Sequence, residues 1–401
     1  MSDSLQNPQV DGRGRGHLGY LALVMLGFFA ASSAPTPLYH VYQQAWGFSS
    51  ASLTLIFAVY ALSLLATLLV FGSLSDYLGR RPVILAALVL EMLSMLLFIS
   101  ASDVGWLIAA RVLQGIATAI ATSALGAAML DTSVSQGPLI NSVTPMLGMA
   151  VGALGTSILV EFAPLPLLLV YGLLLAAFAC QALYLCRIQE TVTPQAGVLK
   201  TLRPTLYVPQ RARSTLLLVL PADIAAWALG GFFLSLAPSL LAAATGSKSV
   251  LNGGLAVAAL TISGAISIMS LRLKAPQLAL LVGCSFLAVG VSVVLLAVNL
   301  GWLWLFFTGA VIAGIGFGAS FLGALRLLLP LAHAHERAGL MSAFLALSYL
   351  AFCVPALVAG LAIKTQGLIV TTNVYGSVVI VLALLALAGL LAQRVAGSRT
   401  A

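Results

Sequence analysis

Apolar residues fill long unbroken stretches of this chain, and polar residues collect in the short gaps between them. Twelve such stretches stand out: 18–38, 51–71, 82–101, 104–128, 138–161, 165–186, 214–240, 251–271, 276–298, 302–327, 339–363 and 369–392. Each has about the 20 residues that a helix needs to cross a bilayer. None alternates apolar and polar residues between turns as a strand of a membrane barrel does, so a β-barrel is excluded. A backbone in hydrocarbon must satisfy its hydrogen bonds within its own segment, which makes these stretches helices. The pattern predicts an all-α polytopic membrane protein with twelve transmembrane helices.

The longest polar break, 187–213, holds Pro194, Pro204 and Pro209, and six stretches lie on each side of it. The expected organisation is a tail at 1–17, a six-helix bundle at 18–186, a linker at 187–213, a second six-helix bundle at 214–393 and a tail at 394–401. Two such bundles form a pseudo-symmetric 6+6 repeat. Residues Arg13 to Pro35 have the outline of a secretory signal: basic start, apolar middle, small residues. Pro35 directly after the small residues is a poor cleavage context, and losing the stretch would leave an odd number of spans.

Composition fixes the class. The 401 residues are 61% apolar and 7% charged, against about a quarter charged in a soluble domain. A soluble enzyme, a disordered protein and a nucleic-acid module are excluded. The formal charge of +8 reports topology instead. With the N-terminus inside, fifteen of the eighteen Lys and Arg fall on the inner side, among them Arg80, Arg81, Lys200, Arg203, Arg211, Arg272, Lys274, Arg326 and Arg394. Lys248 and Lys364 fall outside, and Arg111 lies within a span. That asymmetry predicts a multi-pass protein of a bacterial-type inner membrane with both termini cytoplasmic. Trp46, Trp106, Trp302 and Trp304 sit near the outer boundary as interfacial anchors.

Candidate chemistry is sparse. Cys180, Cys186, Cys284 and Cys353 lie in or beside apolar stretches at no metal-ligand spacing and read as small buried apolar residues. His333 and His335, with Glu336 and Arg337, form a turn that nothing completes as a metal site. No metal and no cofactor are expected. No Gly-x-x-x-x-Gly-Lys-Ser/Thr loop is present, so ATP does not drive the protein directly. The spans carry no Ser/His, His-Glu-x-x-His or paired-Asp set that would make it an intramembrane enzyme. The partners expected are a small-molecule substrate, protons and the lipid bilayer, and a monomer is expected.

The loop after the second stretch reads Gly72-Ser73-Leu74-Ser75-Asp76-Tyr77-Leu78-Gly79-Arg80-Arg81-Pro82. Gly72 leaves room for a neighbouring backbone, Gly79 permits a tight reversal, and Pro82 suits the first turn of a helix. Asp76, alone among positive charges, is placed to cap a helix or to pair with Arg80. This loop resembles the signature of the major facilitator superfamily, Gly-x-Leu-x-Asp-x-x-Gly-Arg-Arg/Lys, at every fixed position, and the 6+6 layout extends the resemblance over nearly the whole chain. The resemblance implies a cytoplasmic latch between the halves made of Gly72, Asp76, Gly79, Arg80 and Arg81, with Asp131 at the inner end of the fourth stretch as a third charged member. The corresponding loop of the second half, Leu271 to Pro276, keeps the positive charges and lacks the acid and the glycine.

The fourth stretch carries Arg111-Val112-Leu113-Gln114-Gly115, similar to the superfamily's Arg-x-x-Gln-Gly. Arg111 lies roughly 10 Å deep at about 1.5 Å per residue, where a cation needs a wet cavity or a partner. It is read as a residue that tunes a proton site or holds an anionic group. Two acids also lie deep in spans, Glu91 and Asp223. The resemblance makes the first, fourth, seventh and tenth helices the cavity lining, which favours Asp223 over Glu91 as proton carrier. Alternatives are a shallow Asp223 facing headgroups and a protonated Glu91 bonded to a neighbouring helix. Trp227, Phe232 and Phe233 are placed to stack on a substrate or to pack.

The fifth stretch holds Thr144-Pro145-Met146-Leu147-Gly148-Met149, then Gly152 and Gly155, a spacing that lets helices approach closely. It resembles in part the antiporter signature Gly-Pro-x-x-Gly-Gly of the drug:proton antiporter group; Thr144 and Met149 depart from it. Gly314, Gly316 and Gly318 repeat the small-residue theme in the tenth stretch. Two prolines, Pro35 and Pro37, free backbone carbonyls beside Ser32 and Ser33 at the outer end of the first stretch, as a gate, a binding surface or an irregular helix end. The expected function is secondary transport by alternating access, as proton-coupled export of a lipophilic or weakly polar small molecule. The alternative is proton-coupled uptake of a sugar, amino acid or organic acid. A passive facilitator differs from both in being indifferent to a protonophore.

Overall fold

A computed structural model describes residues 12–190, 192, 193, 195, 197, 206–247, 249–333 and 335–399, with the side chains of all but 12–15 and 394–399. Pro194, Lys200, Arg203, Pro204 and Lys248, and the side chains of Arg13, Arg15, Arg394 and Arg399, lie outside the described residues. Twelve described helices are long and apolar enough to cross a membrane. They are α1 (Gly16–Trp46), α2 (Ser50–Phe71), α3 (Arg80–Ile99), α4 (Val104–Thr132), α5 (Gly137–Phe162), α6 (Pro166–Leu185), α7 (Gln210–Ser235), α8 (Leu251–Leu271), α9 (Pro276–Leu300), α10 (Leu303–Leu331), α11 (Arg337–Gln366) and α12 (Leu368–Gln393). No strand occurs among the described residues. The face that carries the chain ends and the segment between α6 and α7 is called here the terminal face.

Helix ends follow local chemistry. The Asp103 side chain accepts from the Gly105 and Trp106 amides and starts α4, as an N-cap does. The first stretch does not stop near residue 38. It breaks at Ala34 and resumes as Pro35–Trp46, because proline has no N–H for the carbonyl four residues back but suits a helix's first turn. α7 repeats the device: it ends at Ser235 and resumes as Ala237–Thr245 with Pro238 in its first turn.

Within the first half, α1 and α5 meet through glycine. A Cβ on Gly152 would stand 2.0 Å from the Ala30 oxygen, and one on Gly148 2.7 Å from the Leu26 oxygen. In the second half, Gly314 and Gly318 press on α8 and Gly316 on α9. Gly155 corrects the sequence reading: a Cβ there meets nothing within 4 Å, so the spacing of small residues named the face but not its neighbour. Gly72 corrects it too, since its near contact is the Leu68 oxygen of its own preceding turn. Cys180 and Cys186 are exposed rather than buried, because α6 is an outer helix with little of its surface covered.

The two bundles touch along α5–α8 and α2–α11, and both seams are clasped at the face opposite the termini. There a Cβ on Gly254 would lie 2.2 Å from Ser157 Oγ and 2.6 Å from the Ala153 oxygen, and one on Gly360 would lie 2.0 Å from Thr54 Oγ1. The hydrogen bonds that join the halves among the described residues lie there as well. Thr36 Oγ1 donates to the Leu234 oxygen (2.8 Å), the carbonyl that Pro238 frees, and the Val250 amide donates to the Glu161 carboxylate (3.1 Å).

Candidate functional site

Three polar clusters interrupt the apolar interior. The first lies at the terminal face of the first half. Gly79 takes φ +97°, a region that favours glycine, and turns the chain into α3. Arg80 then reaches three oxygens. It pairs with Asp76 one turn back, donates through Nε to Asp131 Oδ2 on α4 (3.0 Å), and donates through Nη1 to Ser75 Oγ (2.7 Å). Asp76 thus pairs rather than caps. The cap of α3 comes from a residue the sequence reading missed. Glu190 accepts from the Arg80 amide (2.9 Å) and the Arg81 amide (2.8 Å), and Arg81 Nη2 donates to the Cys186 oxygen (2.9 Å). A loop acid 109 positions away carries no periodicity, so nothing in the sequence marked it. Glu190→Ala should cost about 1 kcal/mol, as loss of an N-cap does, and should speed amide exchange at Arg80 and Arg81 while leaving α4 protected.

The second half builds its terminal face differently. Arg326, at the end of α10 where α4 has Asp131, donates to the Lys274 oxygen (2.7 Å) in the loop after α8. Arg211, at the start of α7, pairs with Glu336 and bonds His333 and the Leu331 oxygen. The turn at His333 is exposed and also docks the start of α7 through Arg211. The His333 amide donates to Glu336 Oε2 (2.9 Å); with Arg211 this holds the Glu336 carboxyl below its usual range. The ion pair persists through neutral pH and loosens only as pH falls through that lowered value.

The second cluster lies inside the first half. Arg111 is 1% exposed, and Glu91 and Gln114 are fully buried. Arg111 Nη1 donates to the Ser32 oxygen (2.9 Å) and to Gln114 Oε1 (2.5 Å), and its guanidinium stands 4.1 Å from the Tyr60 ring centroid. Gln114 Nε2 donates to Glu91 Oε1 (3.0 Å) and to the Ala31 oxygen (3.0 Å). The Ala31 carbonyl is the one that Pro35 leaves without its helical donor. Arg111 therefore neither reaches the headgroups nor faces an open cavity. The proline break gave it and Gln114 carbonyl partners inside the bundle, and Gln114 links it to Glu91. Glu91 Oε2 and Arg111 Nε have no hydrogen-bond partner.

The third cluster lies in the second half. Asp223 is fully buried, so it does not face the headgroups. Ser348 Oγ on α11 lies 2.7 Å from Asp223 Oδ2 and 3.0 Å from the Phe344 oxygen, and Asp223 Oδ1 has no partner in hydrogen-bond geometry. One helical turn on, Trp227 stands among Tyr349, Phe352 and Phe321, with ring centroids 5.0, 5.7 and 5.9 Å away. Phe352 meets Phe57 of the first half at 4.9 Å. Trp227, Tyr349 and Phe321 keep part of their surface free in the middle of their spans. Phe232 and Phe233 are buried against Tyr375 and Phe306 and serve packing. Among the described residues no group of His, Cys, Asp and Glu is placed to hold a metal ion.

No curated protein matches the chain by sequence. Its fold is similar to a crystal structure of a mutant of the nucleoside transporter NupG, with a TM-score of 0.74 over 93% of this chain and 99% of that one, at 13% identity. The sequence pattern of the Major Facilitator Superfamily matches residues 21–356, from the first span into the eleventh. With that match, twelve spans and two six-helix bundles clasped along α5–α8 and α2–α11, the chain belongs to the Major Facilitator Superfamily of secondary transporters.

Proposed function

We propose that this transporter couples the export of a lipophilic or weakly polar small molecule to inward proton movement. Its bundles, 18–186 and 214–393, rock about the linker 187–213 in a bacterial-type inner membrane, with the terminal face in the cytoplasm. The observation that carries the reading is the Asp223–Ser348 pair. A serine hydroxyl has one hydrogen, and here it has two acceptors within reach, Asp223 Oδ2 and the Phe344 oxygen. With Asp223 ionised, Ser348 donates to it. With Asp223 protonated, the carboxyl donates to Ser348 and Ser348 donates to Phe344. The site accepts a proton by turning one hydroxyl, and the Ser348 hydrogen keeps an acceptor in both states. An intramembrane acid so arranged suits a proton relay.

The substrate reading rests on the neighbours of that acid. Trp227, Tyr349 and Phe321 offer aromatic surface and few charges, which fits an apolar or aromatic molecule better than a sugar. The structure is clasped on the face opposite the termini, so a molecule loads from the terminal side, the cytoplasmic one. Arg80 with Asp76 and Asp131, steadied by Gly79, Arg81 and Glu190, acts as the latch that holds the terminal ends of α2, α3 and α4 together through the cycle.

Everted vesicles with an acidic lumen test this with a panel of lipophilic fluorescent dyes and with uridine as the polar comparison. A dye should accumulate as protons leave, and a protonophore should abolish the accumulation. Asp223→Asn should slow proton-driven accumulation at least tenfold while leaving dye exchange at equal pH intact, because exchange needs no net proton transfer. Uridine leaving the lumen together with protons, with no dye moved, would establish uptake symport in place of export. Flux indifferent to the protonophore would establish a passive facilitator.

A further inference from the structure

α5 packs against α1 of its own bundle and against α8 of the other. α1 and α5 touch at Gly148 and Gly152, and α5 and α8 touch at Gly254 against Ala153. Nearer the terminal face there is free space beside α1: a Cβ on Gly19 meets nothing within 4 Å. Here lies a groove of about 490 Å³, walled by α1 and α5 of the first bundle and edged by Met269 of the second. Gly19, Leu23 and Leu26 of α1, Ile140 and Val143 of α5, and Met269 of α8 are among its walls. Its lining is almost wholly apolar, and it runs from Gly19 to Leu26, roughly 10 Å along α1 at 1.5 Å per residue.

Charge stands at one end of the groove. Arg272 follows Met269 by three residues and so continues its side of the helix; Arg272 and Lys274 are both exposed. The carboxylates described on this face are engaged elsewhere: Asp76 and Asp131 with Arg80, Glu190 with the Arg80 and Arg81 amides, and Glu336 with Arg211. Among the described residues Arg272 has no acidic partner within 4.0 Å.

We propose that this groove binds one acyl chain of an anionic phospholipid, with the phosphate held at Arg272 and Lys274. A hydrocarbon chain fits walls that offer no polar partner, and the two free cations select a negative headgroup. The lipid occupies the α5–α8 seam on the side that is open while the opposite face is clasped, so it favours this arrangement of the bundles. The site is independent of substrate and of proton coupling.

Native mass spectrometry on the full chain, released from vesicles of phosphatidylglycerol and phosphatidylethanolamine with matched acyl chains, tests the assignment. Phosphatidylglycerol should be retained in preference. Arg272→Gln should lower its retention about fivefold, the worth of one juxtamembrane cation at an anionic headgroup. Gly19→Leu should lower retention at least as much, since it fills open space and meets no backbone. Both variants should unfold at the wild-type temperature, because neither touches a packed contact. Equal retention of the two lipids overturns the proposal, and so does retention unchanged in both variants. So does a groove that holds a lipophilic dye and no lipid.

Discussion

Gly254→Leu should open the face that this structure holds shut. Gly254 lies in the first turn of α8, and a Cβ there would stand 2.2 Å from Ser157 Oγ and 2.6 Å from the Ala153 oxygen. Both atoms belong to α5, in the other bundle, and one is backbone that cannot swing aside. The clash exists only while the bundles are clasped, so each bundle folds as before and the clasped arrangement alone is penalised. Overpacking of this kind costs about 1–3 kcal/mol, and sometimes more, which is a shift of roughly ten- to a hundredfold or beyond in the ratio of the two arrangements. Thr36, buried beside Leu234 at the same face, reports the shift. In a chain with its native cysteines replaced by serine, Thr36→Cys should react with an impermeant maleimide at least tenfold faster when Gly254→Leu is added. Gly155→Leu is the matched control. It is two residues from Ser157 on the same helix but meets nothing, and it should leave the reaction rate unchanged. Equal rates in all three chains would mean that the glycine seam does not hold the face closed.

The parts legible in the sequence are those where one physical constraint acts on neighbours in the chain. Hydrocarbon demands about 20 apolar residues per crossing, so the spans could be counted directly. The turn at Gly79 is legible because reversal, acid and arginines lie within a few residues, and Arg80 does bring Asp76 and Asp131 together. What was illegible depends on partners far along the chain. Glu190 caps α3 from a linker. Leu234, 198 positions from Thr36, offers it a carbonyl only because Pro238 withdraws the usual donor. A cation in a span needs a wet cavity or a partner; the sequence supplies that need for Arg111 but not the partners, Ser32, Gln114 and the Tyr60 ring. Gly155 was misjudged for the same reason, since periodicity gives direction and not what lies there.

Arg111→Ala should be the most destabilising single change in the first half. It removes two charge-assisted hydrogen bonds, each worth about 1.5–3 kcal/mol in a buried site. It also removes a guanidinium from the Tyr60 ring, a contact worth up to about 2 kcal/mol when desolvated. The Ser32 oxygen and Gln114 Oε1 lose their donor in a place water does not reach. The loss should total roughly 3–5 kcal/mol, the range for breaking a buried polar pair, read from unfolding in a denaturing detergent. Arg111→Lys should recover only part of it, because an ammonium cannot lie flat on the ring. Glu91→Gln should cost less than about 1.5 kcal/mol, since the amide oxygen still accepts from Gln114. The two sites are joined through Gln114, so their effects should not add. Arg111→Ala with Glu91→Gln should depart from the sum by at least about 1 kcal/mol, beyond the few tenths expected of independent sites. Strict additivity would mean that Gln114 links the two only in geometry. Arg111 would then serve to hold the broken end of α1, and Glu91 would act alone.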